Sequence, residues 1–254
     1  MIEIRDLSFS YGKTPFTEHL YLTLNDGTFT ALIGENGSGK STLLKLMTGN
    51  EAFSSGNILL DGKNLQTLKK NEIARRLSYF PQSRPIPDMT AKEVVMMGRY
   101  PYTRGKLSVS KNDILTVESV MTDMNISHFA ERNMKTLSFG ERQRIYLTML
   151  LAQDTGTCLF DEPTNFMDIS AKFAMLSKLT ELKKQGKCIL CILHDISLAL
   201  RYADRIIIMK NGNIFADGSP EELCQNGMIE KAFDIRLQTY ETNGEHTYII
   251  LPNT

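Results

Sequence analysis

The sequence predicts an α/β fold: a mostly parallel core sheet, an antiparallel β lobe near the N-terminus and an inserted helical lobe. Three observations predict it. Apolar, strand-sized runs at 28–33, 157–160, 187–193 and 205–209 are separated by helical stretches, the pattern of parallel strands joined by crossovers. A glycine-rich loop at 34–39 lies between the first of these runs and Leu43, Leu44, Leu46 and Met47, which repeat at helical spacing. From about 87 to 152 the sequence is helix-rich and offers no clear strand. The organisation expected is a single domain, with 1–86 and 153–254 forming the core and β lobe and 87–152 the helical lobe.

The elements follow in order. Ile2, Ile4, Leu7, Phe9 and Tyr11 give a broken period-two alternation, residues 19–24 give a second strand, and Asp26-Gly27 closes a turn. Ser55-Gly56 precedes a short strand at 57–60, which Asp61-Gly62 turns back. The densest basic stretch, 63–76, is diluted by Asn64, Gln66 and Glu72 and reads as a solvated helix face. Thr90-Ala91-Lys92-Glu93 is a capping box, and Ser110 with Asp113 marks another helix start. Asn211-Gly212 is a hairpin turn. Ser219-Pro220-Glu221-Glu222 has a cap serine, proline at the first helical position and acids in the first turn. The tail pairs 237–242 with 246–251 around Asn243-Gly244.

Composition narrows the function. The chain has 254 residues, 42% hydrophobic, enough for one large core. Its 29 basic and 29 acidic residues give no formal net charge, so the basic excess of a nucleic-acid binder is missing and no nucleic-acid partner is expected. No apolar run approaches the roughly 20 residues that cross a bilayer. The chain opens directly on strand-like sequence, so no signal peptide is expected, and a membrane role would come through a partner. Of four cysteines, Cys158, Cys188 and Cys191 lie in apolar strand-like runs, leaving Cys224 outside them. Cys188 and Cys191 are three apart on a strand and so point to opposite faces; they read as buried hydrophobes in a reducing compartment, with no zinc site.

The chemistry concentrates in a few segments. Gly34-Glu35-Asn36-Gly37-Ser38-Gly39-Lys40-Ser41-Thr42 fits GxxxxGK[ST] in full between a strand and a helix. Gly34, Asn36, Gly37, Ser38 and Gly39 turn backbone N–H groups around a phosphate, and the helix after them adds its dipole. Lys40 is expected on the β- and γ-phosphates of ATP, and Ser41 on Mg2+, with Thr42 beside it. A glycine-rich turn with a solvent lysine is the bland alternative; the flanking strand and helix weigh against it. The apolar run 157–160 ends in Asp161 and Glu162, placing two carboxylates at a sheet's carboxyl edge, where ligands bind in open α/β sheets. Asp161 is expected to hold Mg2+ through water and Glu162 to polarise the attacking water.

Leu137-Ser138-Phe139-Gly140-Glu141-Arg142-Gln143-Arg144 resembles the LSGGQ-type signature of ABC ATPases. The resemblance covers essentially the whole chain and extends to smaller marks. Gln82, after Tyr79-Phe80-Pro81, matches the family's Q-loop; His194 matches the switch histidine; Asn165 to Asp168 matches the D-loop, with Met167 where leucine is usual; and Tyr11 lies where the family stacks an aromatic ring on adenine. The resemblance implies Glu162, His194 and Gln82 as catalytic residues, and Ser41, Gln82 and Asp161 as metal ligands. It adds Tyr11, Ser138, Gly140, Asp161 and Asp168 to the nucleotide contacts. It also implies that Ser138 and Gly140 reach the nucleotide of an opposite copy, so that two copies face each other head to tail around two ATP molecules. A serine cap opening a helix is the plain reading of Ser138 and is compatible with that role.

A closer resemblance joins the chain to ATPase subunits of importers for iron–siderophore complexes, haem and cobalamin. It rests on Met97-Gly98-Arg99-Tyr100-Pro101-Tyr102 and on the stretch 194–204, which opens His194-Asp195-Ile196. It implies integral-membrane permease partners, indirectly an external substrate-binding protein, and a place at the cytoplasmic face of the membrane. The segment 83–105 would carry motion to the permease. Phe139 departs from the pattern, replacing the first signature glycine, and is expected to alter dimer closure while leaving the loop functional. Rival readings are a soluble ABC protein of DNA repair or the ribosome, an ABC transporter for another cargo, and a nucleotide-dependent scaffold without turnover. Repair members carry a long coiled coil between loop and signature, for which this interval is too short; ribosomal members usually hold two cassettes. Intact Lys40, Asp161, Glu162 and His194 argue against the scaffold.

Overall fold

The fold was described from a computed structural model covering residues 1–12, 14–103, 109–242 and 245–253. The strands are β1 (Ile2–Tyr11), β2 (Thr14–Leu24), β3 (Phe29–Ile33), β4 (Ser55–Leu60), β5 (Lys63–Asn64), β6 (Leu77–Phe80), β7 (Thr157–Asp161), β8 (Cys188–Ile192), β9 (Arg205–Lys210), β10 (Asn213–Gly218), β11 (Ile235–Thr242) and β12 (Glu245–Pro252). The helices are α1 (Lys40–Met47), α2 (Lys70–Ala74), α3 (Ala91–Met97), α4 (Tyr100–Thr103), α5 (Lys111–Asp123), α6 (Phe139–Gln153), α7 (Ile169–Lys184), α8 (Ile196–Tyr202), α9 (Pro220–Gln225) and α10 (Met228–Phe233).

The central sheet runs β10-β9-β3-β8-β7-β6 and is parallel except for β10, which returns from β9 through the Asn211-Gly212 turn. Every residue of β3, β7 and β8 is buried, because both faces of a parallel sheet are covered. One face packs against α7 and the helical lobe; the other packs against α1 and the antiparallel sheet β2-β1-β4-β5. Cys191 falls in the first of these cores and Cys188 in the second, the opposite-face placement the strand spacing requires. Tail strands β11 and β12 pair as expected; their turn, Asn243-Gly244, lies outside the described residues, as do 104 and 105 of the segment 83–105.

Two local expectations are corrected. The stretch 63–76 is not one helix face. Asn64 accepts the Gln66 N–H at 2.9 Å, which closes a tight turn at Leu65–Thr67, and Leu65 is drawn into the core; only the short α2 follows. In addition, Leu77–Phe80 is a strand that the sequence reading did not assign. It pairs in parallel with β7, Leu77 opposite Thr157 and Phe80 opposite Phe160. Four residues carry too little alternation to declare themselves, and the pairing that fixes them lies some 80 positions away in sequence.

The described residues between β6 and β7 form α3 to α6, two short turns at Ser127–Phe129 and Met134–Thr136, and one isolated bridge between Thr90 and Asn133. Thr90 with Glu93 and Ser110 with Asp113 cap α3 and α5 as their sequences indicate. The segment 97–102 binds this lobe together. A Cβ on Gly98 would stand 2.2 Å from the Met149 carbonyl oxygen, so only glycine allows α3 to end this close to α6. Arg99 donates through Nε to Asp113 Oδ1 at 2.9 Å and through Nη1 to the Ala152 carbonyl at 2.8 Å. Asp113 is buried, and bonds from Ser110 first, then from Arg99, hold its carboxyl below the usual range. Replacing Arg99 with methionine should therefore destabilise the chain by about 3 kcal/mol in urea unfolding at neutral pH. A depressed folded-state pKa contributes stability above the unfolded value that is lost as pH falls through the folded one. The deficit of the variant should accordingly shrink in acid.

Candidate nucleotide-binding site

The strand order places the chemistry. Neighbours β3, β8, β7 and β6 are parallel, so the segments leaving their carboxyl ends emerge side by side. These segments are the glycine-rich loop after β3, His194 after β8, Asp161 and Glu162 at the end of β7, and Gln82 after β6.

Gly39 precedes α1 at φ 105°, and a Cβ there would meet the Phe16 ring at 2.3 Å. Helix α1 has no capping side chain and no acid in its first turn, so its N-terminal N–H groups and dipole face the cleft uncompensated. Lys40 is only 5% exposed. Its Nζ donates to the Gly34 carbonyl at 2.8 Å, the Glu35 carbonyl at 2.9 Å and Ser38 Oγ at 3.4 Å. Burial lowers the lysine's pKa, and the carboxylates of Glu162 and Asp161 oppose that shift. Ser38 is itself buried and serves the loop, while Asn36 and Gly37 line the cleft.

Asp161 is buried at the end of β7. Its Oδ1 accepts from Ser41 Oγ at 3.1 Å and its Oδ2 from Tyr79 OH at 3.2 Å. Burial raises its pKa, bonds from Ser41 and Tyr79 oppose the rise, and the neighbouring Glu162 adds to it. Tyr79 was not foreseen as a site residue, since its reach to Asp161 depends on the β6–β7 pairing; burial pushes its hydroxyl upward.

Glu162 sits in the left-handed region, at φ 51°, an uncommon conformation for a residue with a Cβ. Three side chains converge on it. Gln82 Nε2 donates to Oε2 at 2.5 Å, Asn165 Nδ2 donates to the same oxygen, and His194 Nε2 lies 2.5 Å from Oε1. Sequence reasoning placed Gln82 and His194 here, but it named Asn165 only as the start of a loop. The signal for Asn165 was its position three residues after Glu162, within one turn.

Glu162 and the glycine-rich loop border a cavity of about 310 Å³, which Gln82, Asn165 and His194 reach through Glu162 and Asp161 through Ser41. Asn36, Gly37, Gly39, Lys40, Ser41 and Thr42 form one wall, with Glu162, Tyr11 and Phe16 completing it. Tyr11 is half-exposed, held by a 2.6 Å bond between its hydroxyl and Thr42 Oγ1, and packs edge-on against Phe9 and Phe16. Ser138, Gly140 and Asp168 do not border this cavity. They line a second one of about 530 Å³ that shares no residue with the first. Ser138 caps α6 in a reciprocal box with Glu141, and Asp168 caps α7 by accepting the Ala171 N–H at 2.8 Å. Beside them Phe139 meets Phe166 edge-on, ring centroids 6.2 Å apart.

A profile of the ABC transporter family matches residues 17–165. The chain belongs to that family. Among relatives, the ferric enterobactin transport ATP-binding protein of Escherichia coli is 37% identical over 248 residues, covering 97% of this chain and 92% of that protein. The petrobactin import ATP-binding protein of Bacillus anthracis is 36% identical over 239 residues, covering 93% of this chain and 88% of that one. A dimeric ATP-binding cassette solved in a post-hydrolysis state with ADP and Pi superposes with a TM-score of 0.75 at 23% identity, covering 87% of this chain and 99% of that one. The chain is thus an ABC ATPase: an α/β ATP-binding protein with the mixed sheet of the family's cassettes. Among the described residues, no helix is long and apolar enough to cross a membrane.

Proposed function

We propose that this ABC ATPase powers an importer for an iron–siderophore complex, or for haem or cobalamin, through permease subunits at the cytoplasmic face of a membrane. One observation carries the catalytic half: a carboxylate, Glu162, gripped by Gln82, Asn165 and His194 and facing Lys40 and Ser41 across one cavity. Near-full-length likeness to siderophore import subunits supports the cargo class. The chain acts as one unit, with 87–152 the helical lobe that answers the nucleotide and the segment after Gln82 its link to the permease. An external binding protein would deliver the cargo.

The phosphates of ATP would lie against the loop 34–39 and the head of α1, with Tyr11 offering a ring to the base. Lys40 would turn its ammonium from the loop carbonyls toward the β- and γ-phosphates. The donor set suits Mg2+: Asp161 is a buried carboxylate whose partners Ser41 and Tyr79 are neutral hydroxyls, and a hard cation prefers such oxygens. No group of three or more acidic, histidine or cysteine side chains that could hold a metal occurs among the described residues. Ser41, Asp161 and Gln82 would therefore supply part of the shell, and phosphate and water the rest. Bound there, Mg2+ would neutralise charge on the phosphates. Glu162 would accept a proton from the attacking water, His194 holding one of its oxygens and Gln82 with Asn165 the other.

The separation of Ser138 and Gly140 from the first cavity favours a head-to-tail homodimer in which a second copy supplies them. Phe139 stands on that surface, 37% exposed, against Phe166, which is 87% exposed and held at φ 60°. Removing the ring in Phe139→Gly should change kcat at saturating ATP, or KM for ATP, by about threefold or more. Steady-state kinetics showing neither change would leave Phe139 without a part in closure.

The test of the whole proposal is purification of the tagged chain from gently solubilised native membranes, followed by mass spectrometry. A many-spanning permease and an external binding protein should co-purify, and the latter can be screened against siderophores, haem and cobalamin. A preparation free of membrane partners, or rich in ribosomes or DNA, would overturn the transport reading and leave only the ATPase.

A further inference from the structure

Arg84 lies two residues beyond Gln82, on the connection from β6 to the helical lobe. Its guanidinium carbon is 3.4 Å from the centroid of the Phe80 ring and 4.7 Å from that of Tyr146. Both rings are buried. Nη1 and Nη2 are buried too, and among the described residues neither meets a hydrogen-bond acceptor. Burial pulls the guanidinium down to about 10, with Tyr146 and Tyr79 opposing the shift, so it stays charged at neutral pH.

A buried arginine ordinarily spends its fork of donors on a carboxylate or on carbonyls. Two aromatic faces compensate its lost hydration only in part. An apolar side chain of the same length would be the more stable occupant, so stability does not explain the charge. What it joins does. Phe80 ends β6 in the central sheet, whereas Tyr146 lies mid-way along α6 in the helical lobe. Tyr146 also donates its hydroxyl to the Pro85 carbonyl at 3.0 Å, so two successive residues of this loop are fastened to α6. Gln82 grips Glu162 at 2.5 Å, and Ser138 caps the start of α6. A cation over a ring also tolerates lateral slip that a bidentate salt bridge does not.

We infer that Arg84 is a positioning residue for ATP hydrolysis, a sliding latch that ties the Gln82 loop to α6 so that Gln82 against Glu162 and Ser138 at the head of α6 are set together. This rests on the Glu162-centred reading of the site proposed above. Arg84→Met in the full chain should melt at the wild-type temperature or higher, yet lower kcat about tenfold with KM for ATP within about twofold. Arg84→Lys should recover part of kcat, because an ammonium also sits over an aromatic face. Should Arg84→Met not fold, Tyr146→Leu carries the same test, since it removes the seat and leaves the arginine. Wild-type kcat in a folded Arg84→Met or Tyr146→Leu chain, or a lysine variant no better than methionine, overturns the latch. Hydrogen exchange reads the coupling without turnover. Added ATP should alter protection at 82–86 and in the middle of α6, at 143–149, together in the wild type, and at 82–86 alone in Arg84→Met. A joint response in the variant also overturns the latch, whereas a wild-type chain that hydrolyses no ATP defeats the proposed function instead.

Discussion

Glu162→Gln should lower kcat by about a thousandfold, within the range that a positioned general base contributes. The geometry permits this exchange without collapse. Glu162 Oε2 accepts from the amides of Gln82 and Asn165, while Oε1 faces His194 Nε2. A glutamine carbonyl oxygen can keep both amide bonds, leaving its own NH2 toward His194, whose Nε2 accepts in the tautomer protonated at Nδ1. The hydrogen-bond network therefore survives and the basicity does not. ATP binding should persist, because the loop, Lys40 and Ser41 are untouched, and an ATP-stabilised dimer should accumulate in size-exclusion chromatography. Glu162→Ala should differ, since it strips Gln82, Asn165 and His194 of the carboxylate on which they converge. A Glu162→Gln chain with full steady-state turnover, or one that no longer binds ATP, would contradict the role given to this carboxylate.

The site was legible where chemistry and local structure coincide. Lys40, Ser41, Asp161, Glu162, Gln82 and His194 each follow a strand or end one, and short motifs with fixed spacing record that arrangement. What stayed hidden depends on non-local pairing. Tyr79 reaches Asp161 only because β6 lies beside β7, and β6 is too short to announce itself. The 63–76 stretch misled for a related reason. Its charges suggested a solvated helix, whereas one asparagine turn and one buried leucine decide its path. Gly98 and Arg99, which the sequence offers as a mark of kinship, prove to be packing residues, one admitting α6 at close range and the other tying Asp113 to the Ala152 carbonyl. Ser138 and Asp168 show the converse. The sequence assigned them to a nucleotide; folded, they cap helices beside a cavity that shares no residue with the one at the glycine-rich loop.

Lys40→Met should weaken ATP binding about a hundredfold. Two losses combine. The first is charge: a nearly buried ammonium, deprived of carboxylate hydrogen bonds, is replaced by an apolar chain in a cleft that already holds Asp161 and Glu162, so the phosphates meet uncompensated negative charge. The second is shape. Lys40 Nζ draws the Gly34 and Glu35 carbonyls and the Ser38 hydroxyl onto one point, and without it the loop loses the clasp that aims its N–H groups inward. Arginine should not rescue, because its planar fork does not fit a site made for a compact ammonium. The pH dependence separates charge from shape. Burial holds Lys40 below the ordinary lysine range, so the free protein loses this proton earlier on the alkaline side than an exposed lysine would. Wild-type ATP affinity should therefore decline as pH rises through that range, while Lys40→Met stays weak and flat. Isothermal titration across alkaline pH checks this. Parallel slopes for the two proteins would mean that the ammonium is not what the phosphates feel.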